Sequence, residues 1–194
     1  MTAVDHPRAA RGWVASMPTA RTIWSVFDGE LSESDVAYSE PVGVLAQMRD
    51  VCYREMLAVD GIERGWPGVA EAADAVFADT ERDLTTLVER FDRYVAGMIR
   101  ALAVDTPHAA RHHVGLGTEV LRHVRDYTRA VAPGDRLRIG NPRASVLLEQ
   151  AVRYDRLLDA IVSGRLRPPR CPAHVVGGYG SPPQRARVAA ETSA

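Results

Sequence analysis

From Val69 to Leu102 apolar side chains recur at steps of three and four: Val69, Ala73, Val76, Phe77, Leu84, Leu87, Val88, Phe91, Val95, Met98, Ile99 and Leu102. At 100° per residue they gather in one stripe about 140° wide. Arg82, Glu89, Arg93 and Arg100 fall on the opposite side. The pattern predicts a long amphipathic helix whose stripe other helices must cover, about 50 Å from end to end at 1.5 Å per residue. Thr80 to Asp83 also reads as a capping box, T-x-x-D, so a kink or break near Asp79 competes with a continuous helix. In both cases the stretch divides there. The part from Thr80 onward matches its successors in length and should form the bundle core. The part before it must pack on the preceding helix or on another chain.

The flanking segments show the same period. Ser39-Glu40-Pro41 is a helix start, with Pro suited to the first turn. That helix should run to about Asp60 with Gly61 as its C-terminal cap. Its stripe is Val44, Leu45, Met48, Val51, Cys52, Met56 and Val59, with Glu55 near the middle. Gly61 to Gly68 reads as a loop holding Trp66 and Pro67. Asp105-Thr106-Pro107 should end the long helix and start another, His108 to Ala132, which Gly115 and Gly117 weaken. Pro133-Gly134-Asp135 is a turn, and Arg136 to Ile139 an extended piece. Asn141-Pro142 opens a last helix that runs to Ser163 and stops at Gly164. Its stripe is Val146, Leu147, Ala151, Tyr154, Leu157, Leu158, Ile161 and Val162. Near the N-terminus, Thr22 to Phe27 is an apolar piece that should dock on the bundle, and Trp13 and Trp24 are packing residues that tie the end down. The expected fold is all-α: a four- to five-helix up-down bundle over residues 39–164, a partly ordered arm over 1–38, and an extended or disordered Pro/Gly/Arg-rich tail over 165–194.

Composition narrows the function classes. The 194 residues are 46% hydrophobic and 25% charged, with a net charge of −1. Such a balance offers no global field for nucleic acid or an anionic membrane. No apolar run approaches the length of a membrane span, and Met1 to Gly12 lacks the apolar core of a secretory leader, so the expected location is the cytoplasm. Every cation apart from histidine is arginine, which reads as codon bias rather than as an anion site. Two cysteines, Cys52 and Cys171, make neither a disulfide framework nor a zinc site.

Catalytic signatures are sparse. There is no phosphate-binding glycine loop, no nucleophile elbow and no acidic pair of the kind that holds a diphosphate-bound metal. Wheel positions group His108, His112, Glu119, His123 and Asp126 on one polar arc of the predicted helix from His108. His108 and His112, four residues apart, are candidate ligands for a transition metal. However, H-E-x-x-H is absent, and Glu119 lies two turns away, so a solvated flank is the plainer reading. His113 falls within the apolar arc and should point inward, either as a satisfied core histidine or as a base, metal ligand or heme ligand in a bundle pocket. Glu55, Thr80, Gln150 and Tyr154 also point inward. In an up-down bundle His113 lies level with Ile99 and Val162, Gln150 with Arg125, and Glu55 with Ala72. These heights spread the polar groups over ~18 to ~40 Å at 1.5 Å per residue, so no single site collects them. His113, Glu55 and Tyr154 therefore stand as separate catalytic candidates, and Glu55 should be paired with an arginine or lie at a stripe edge.

Two short resemblances complete the reading. AIVSGRLRPP, Ala160 to Pro169, resembles the lead-in to the winged helix of GntR-type repressors, but that module needs more chain than follows. SEPV from Ser39, Trp66, and RYVAGM from Arg93 to Met98 loosely resemble the helical half of nitrile hydratase β-type subunits. That likeness implies a helical chain that covers another subunit; the metal-binding cysteine motif of the partner subunit is not in this chain. Two functions are carried forward. One is a non-catalytic interaction or accessory subunit, self-associating or bound to another protein. The other is a small helical-bundle enzyme or ligand-binding protein acting on a small molecule, for instance in its biosynthesis, with His113 in the pocket. No cofactor is expected apart from a transition metal or heme at these histidines.

Overall fold

A computed structural model describes residues 18–31, 39–101, 108–132 and 140–168. Trp13, Leu102 to Pro107, the turn and extended piece expected over 133–139, and Cys171 with the residues after it lie outside the described residues. The described chain is all-α apart from one two-residue parallel bridge. Five helices follow in order: α1 (Ala20–Phe27), α2 (Ser39–Glu63), α3 (Val69–Ala101), α4 (Leu116–Ala130) and α5 (Ala144–Val162). The bridge pairs β1 (Ala110–Arg111) with β2 (Leu166–Arg167).

Helices α2, α3 and α4 pack on one another as a three-helix core, and α5 packs on α4. Phe91, Leu84, Leu45, Met48, Leu116 and Tyr127 are fully buried at the centre. Helix α1 bridges α2 and α5 and closes the bundle. It buries Ile23, Val26 and Phe27 and is held at both ends. The Ala20 N–H donates to Asp155 Oδ1 at 2.8 Å, and Arg49 Nη1 donates to the Val26 carbonyl at 2.9 Å. The docking expected of Thr22 to Phe27 is thus real, and this part of the arm belongs to the bundle.

Four local expectations need correction. Helix α3 is continuous over 33 residues. The Thr80 side chain is buried, and its hydroxyl donates to the Phe77 carbonyl at 3.1 Å. The T-x-x-D group therefore sits inside a helix, where the hydroxyl is satisfied by the preceding turn and no break is needed. Helix α2 passes through Gly61 to Glu63, and Gly65, at φ +65°, takes the left-handed turn instead. Gly61 serves close approach: a Cβ there would meet Val69 Cγ1 at 2.9 Å. The longer α2 shifts its register, so Arg54 pairs with Asp83 at 2.9 Å and its neighbour Glu55 is not level with Ala72.

The fourth correction is the largest. His108 to Gly115 is not helical; it carries β1, and the His112 N–H donates to the Arg167 carbonyl at 2.7 Å. Helix α4 begins only at Leu116 because its cap comes from another helix. Asp92 of α3 accepts from the Gly117 N–H at 2.8 Å. A carboxylate at a helix N-terminus fills an orphan donor and meets the positive end of the dipole. Gly115 and Gly117 allow this approach, since a Cβ at 115 would lie 2.3 Å from Asp92 Oδ2. The pairing of β1 with β2 also places Leu166 and Arg167, which composition alone groups with the tail, on the bundle.

Asp79 still marks a real division, of environment rather than of backbone. Helices α3 and α4 are antiparallel neighbours, with Gly117 level with Asp92. Thirteen residues on from Gly117 and thirteen back from Asp92, the end of α4 at Ala130 comes level with Asp79. The first ten residues of α3, about 15 Å at 1.5 Å per residue, extend past α4. In that stretch only Ala73 is fully buried, whereas Thr80, Leu84, Leu87, Val88, Phe91, Val95 and Met98 are buried beyond it.

Candidate functional site

The sequence candidates do not converge. His113 lies exposed in the loop before α4. It stacks obliquely on His112, ring centroids 4.7 Å apart, and does not point inward. The apolar arc expected to hold it disappears because the helix starts three residues later. His108 is exposed as well, and His112 Nδ1 lies 2.7 Å from the Val114 carbonyl. The two histidines sit on irregular backbone, so they lack the shared helical face that would aim both at one metal. Among the described residues no three His, Cys, Asp or Glu side chains are grouped to hold a metal ion. No helix among them is long and apolar enough to cross a membrane.

Glu55 is half-buried and engaged by Arg125 of α4, with Nε and Nη2 each 3.3 Å from a carboxylate oxygen. The fork satisfies both oxygens and ties α2 to α4. Beside it, burial pushes the Cys52 thiol up to about 12, against a smaller opposing pull from Arg125. A thiol so far from ionisation is a packing residue and not a nucleophile. Tyr154 is buried, and its hydroxyl donates to the Pro18 carbonyl at 2.9 Å, just ahead of α1. Burial, with the nearby Asp155 and Asp92, raises its pKa. Glu55 and Tyr154 are thus each committed to holding elements together.

The polar arc of α4 is not a solvated flank. His123 is only 2% exposed, and its Nε2 accepts a hydrogen bond from the Trp24 indole N–H of α1. Since Trp can only donate, the neutral ring carries its proton on Nδ1. Burial lowers the His123 pKa to about 4, against a smaller raising effect of Asp126. Around it, Gln150 of α5 donates to Asp126, and Arg153 of α5 lies 3.5 Å from Glu119, whose side chain is only 10% exposed. Sequence heights place Gln150 level with Arg125, one residue away. This seam joins α1, α4 and α5. Its nitrogen lone pair is occupied by an indole N–H, so His123 offers neither a base nor a metal ligand. The signal missed in the sequence was the coincidence of His123 with a tryptophan in the docking segment.

What remains unoccupied by the fold is surface. Leu57, six residues before the end of α2, and Trp66, in the α2–α3 turn, are 48% and 47% exposed. The Arg64 guanidinium sits 5.9 Å from the centroid of the Trp66 ring. On α5, Val146, Leu148 and Val152 are also exposed. Leu148 and Val152 line a shallow open depression together with Glu149, Arg153 and Arg156. No family model, curated protein or solved structure matches this chain.

Proposed function

We propose that the protein is a non-catalytic interaction subunit of a protein assembly, and that the tip of the α2–α3 hairpin is the surface it offers. The observation that carries this reading is the projection of α3 past α4, with Trp66 exposed in the turn and Leu57 exposed on α2 six residues before its end. Over its first ten residues α3 has α2 beside it but not α4. A large aromatic ring on a projecting turn is the kind of side chain that anchors an interface when a partner desolvates it. The tip carries four carboxylates, Asp60, Glu63, Glu71 and Asp74, against one guanidinium, Arg64. The fitting partner is therefore a protein with an apolar groove and a basic rim. The small-molecule reading depends on an inward His113, which is exposed.

The reading is tested by tagging the full chain in its source cells and comparing it with the Leu57→Asp/Trp66→Asp double variant. Both positions are exposed, so circular dichroism of the variant should match wild type. A stoichiometric partner, identified by mass, should be retained by wild type and reduced at least tenfold in the variant, the usual scale of losing a hot spot. Equal retention by both chains overturns the reading.

A further inference from the structure

We propose that α5 is a self-association surface, on which a second copy of this chain docks its own α5 antiparallel about Val152. This surface lies on a different helix from the hairpin tip and stands or falls without it. Ser145, Leu148, Glu149, Val152 and Arg156 fall within about 100° of one another on the helix wheel, and all are exposed. The apolar members, Leu148 and Val152, are 52% and 49% exposed one turn apart. The charged residues of α5 divide into two sets. Arg153 faces Glu119, Asp155 holds the start of α1, and Asp159 pairs with Arg165. Among the described residues, no ion pair within the chain engages Glu149 or Arg156, which flank the apolar pair.

The order of these two free charges specifies the partner. Glu149 lies three residues before Val152 and Arg156 four residues after it. Placing a two-fold axis at Val152 brings each Glu149 within one residue, about 1.5 Å of axial rise, of the second copy's Arg156. The same operation sets Leu148 against the methylene stem of that arginine, which covers apolar surface while its head stays wet. A parallel arrangement would instead put like charges together. Complementarity of a patch with its own rotated image is what an isologous dimer requires. A patch confined to one helix falls short of the standard interface of about 1,600 Å² in total, so the dimer should be weak, with a dissociation constant in the micromolar range.

Sedimentation of the full chain across a concentration series tests the idea. Wild type should pass from monomer toward twice the monomer mass. Leu148→Asp should stay monomeric with unchanged circular dichroism. Glu149→Arg should raise the dissociation constant about tenfold, and the Glu149→Arg/Arg156→Glu exchange should restore it. In a Cys171→Ser background, Val152→Cys should oxidise to a covalent dimer. Ser145→Cys should not, since the two-fold axis holds those positions about 21 Å apart at 1.5 Å per residue. A constant monomer mass overturns the proposal. So does a dimer that Leu148→Asp leaves intact, a charge exchange that fails to rescue, or equal cross-linking at 145 and 152.

Discussion

Gly117→Ala is expected to lower the unfolding free energy by about 1–3 kcal/mol, the usual cost of an overpacked contact. Adding a methyl group to a helical glycine normally does the reverse, stabilising by about 0.5–1 kcal/mol through the unfolded chain. Here the new Cβ would lie 2.7 Å from the Val88 carbonyl oxygen and 3.2 Å from Val88 Cγ1. A backbone oxygen cannot swing aside, so α4 must back away from α3. That movement also lengthens the hydrogen bond from the Gly117 N–H to Asp92, the cap on which the start of α4 depends. Gly97, in α3, is the control: a Cβ there meets nothing within 4 Å. Gly97→Ala should therefore stabilise. Urea unfolding of the two variants beside wild type reads the opposite signs directly. Destabilisation of both, or of neither, would contradict the packing described for α4.

Acid should loosen the same bundle through His123. Its pKa is about 4 in the folded chain against 6.5 for an unperturbed histidine. Between those values the unfolded chain binds the proton and the folded chain does not. Stability is thus fully present above pH 6.5, falls as the pH drops through the window, and levels off below 4. The complete loss from this group is about 3 kcal/mol, because a tenfold difference in proton affinity between the two states is worth about 1.36 kcal/mol. Asp92 acts in the opposite sense, because burial raises its carboxyl and acid favours the folded state there. A variant is therefore needed to isolate His123. His123→Gln keeps an acceptor for the Trp24 indole N–H but cannot titrate in this range. Its stability, measured by urea unfolding at pH 7 and pH 4.5, should show a slope smaller than wild type by roughly 2–3 kcal/mol over that interval. An unchanged slope would remove His123 as the acid-sensitive group.

The apolar periodicity is enough to read the helices, because a stripe of that length can be satisfied only by other helices. It gives the span and buried stripe of α3, though not its continuity through Asp79, and α5 with its stop at Gly164, whose φ is +72°. It also finds the division at Asp79, although the cause is the end of α4 and not a break in the backbone. The start of α4 is illegible for a physical reason. The residues from His108 are compatible with helix locally, and only Asp92, 25 positions away from Gly117, decides where the helix begins. The glycines at 115 and 117 carry that information as gaps, which a wheel counts only as weak helix formers. Glu55 is legible as an acid in need of an arginine, since a half-buried carboxylate without one would be costly. His123 is not, because a polar arc looks the same whether it faces water or a second set of polar groups. Gln150 and Arg153 on α5 and Trp24 on α1 turn that arc inward.

Among the described residues, the α2–α3 tip is where α3 runs beyond α4 and an aromatic ring stands half exposed. Photo-cross-linking in the source cells tests its purpose most directly. A benzophenone side chain would replace Trp66 at the tip and, in a second chain, Arg93, which is exposed on the half of α3 that α4 covers. An interaction subunit that docks through the tip should give a covalent adduct with another polypeptide from position 66 and none from position 93. The absence of an adduct at 66, or the same adducts from both positions, would contradict it.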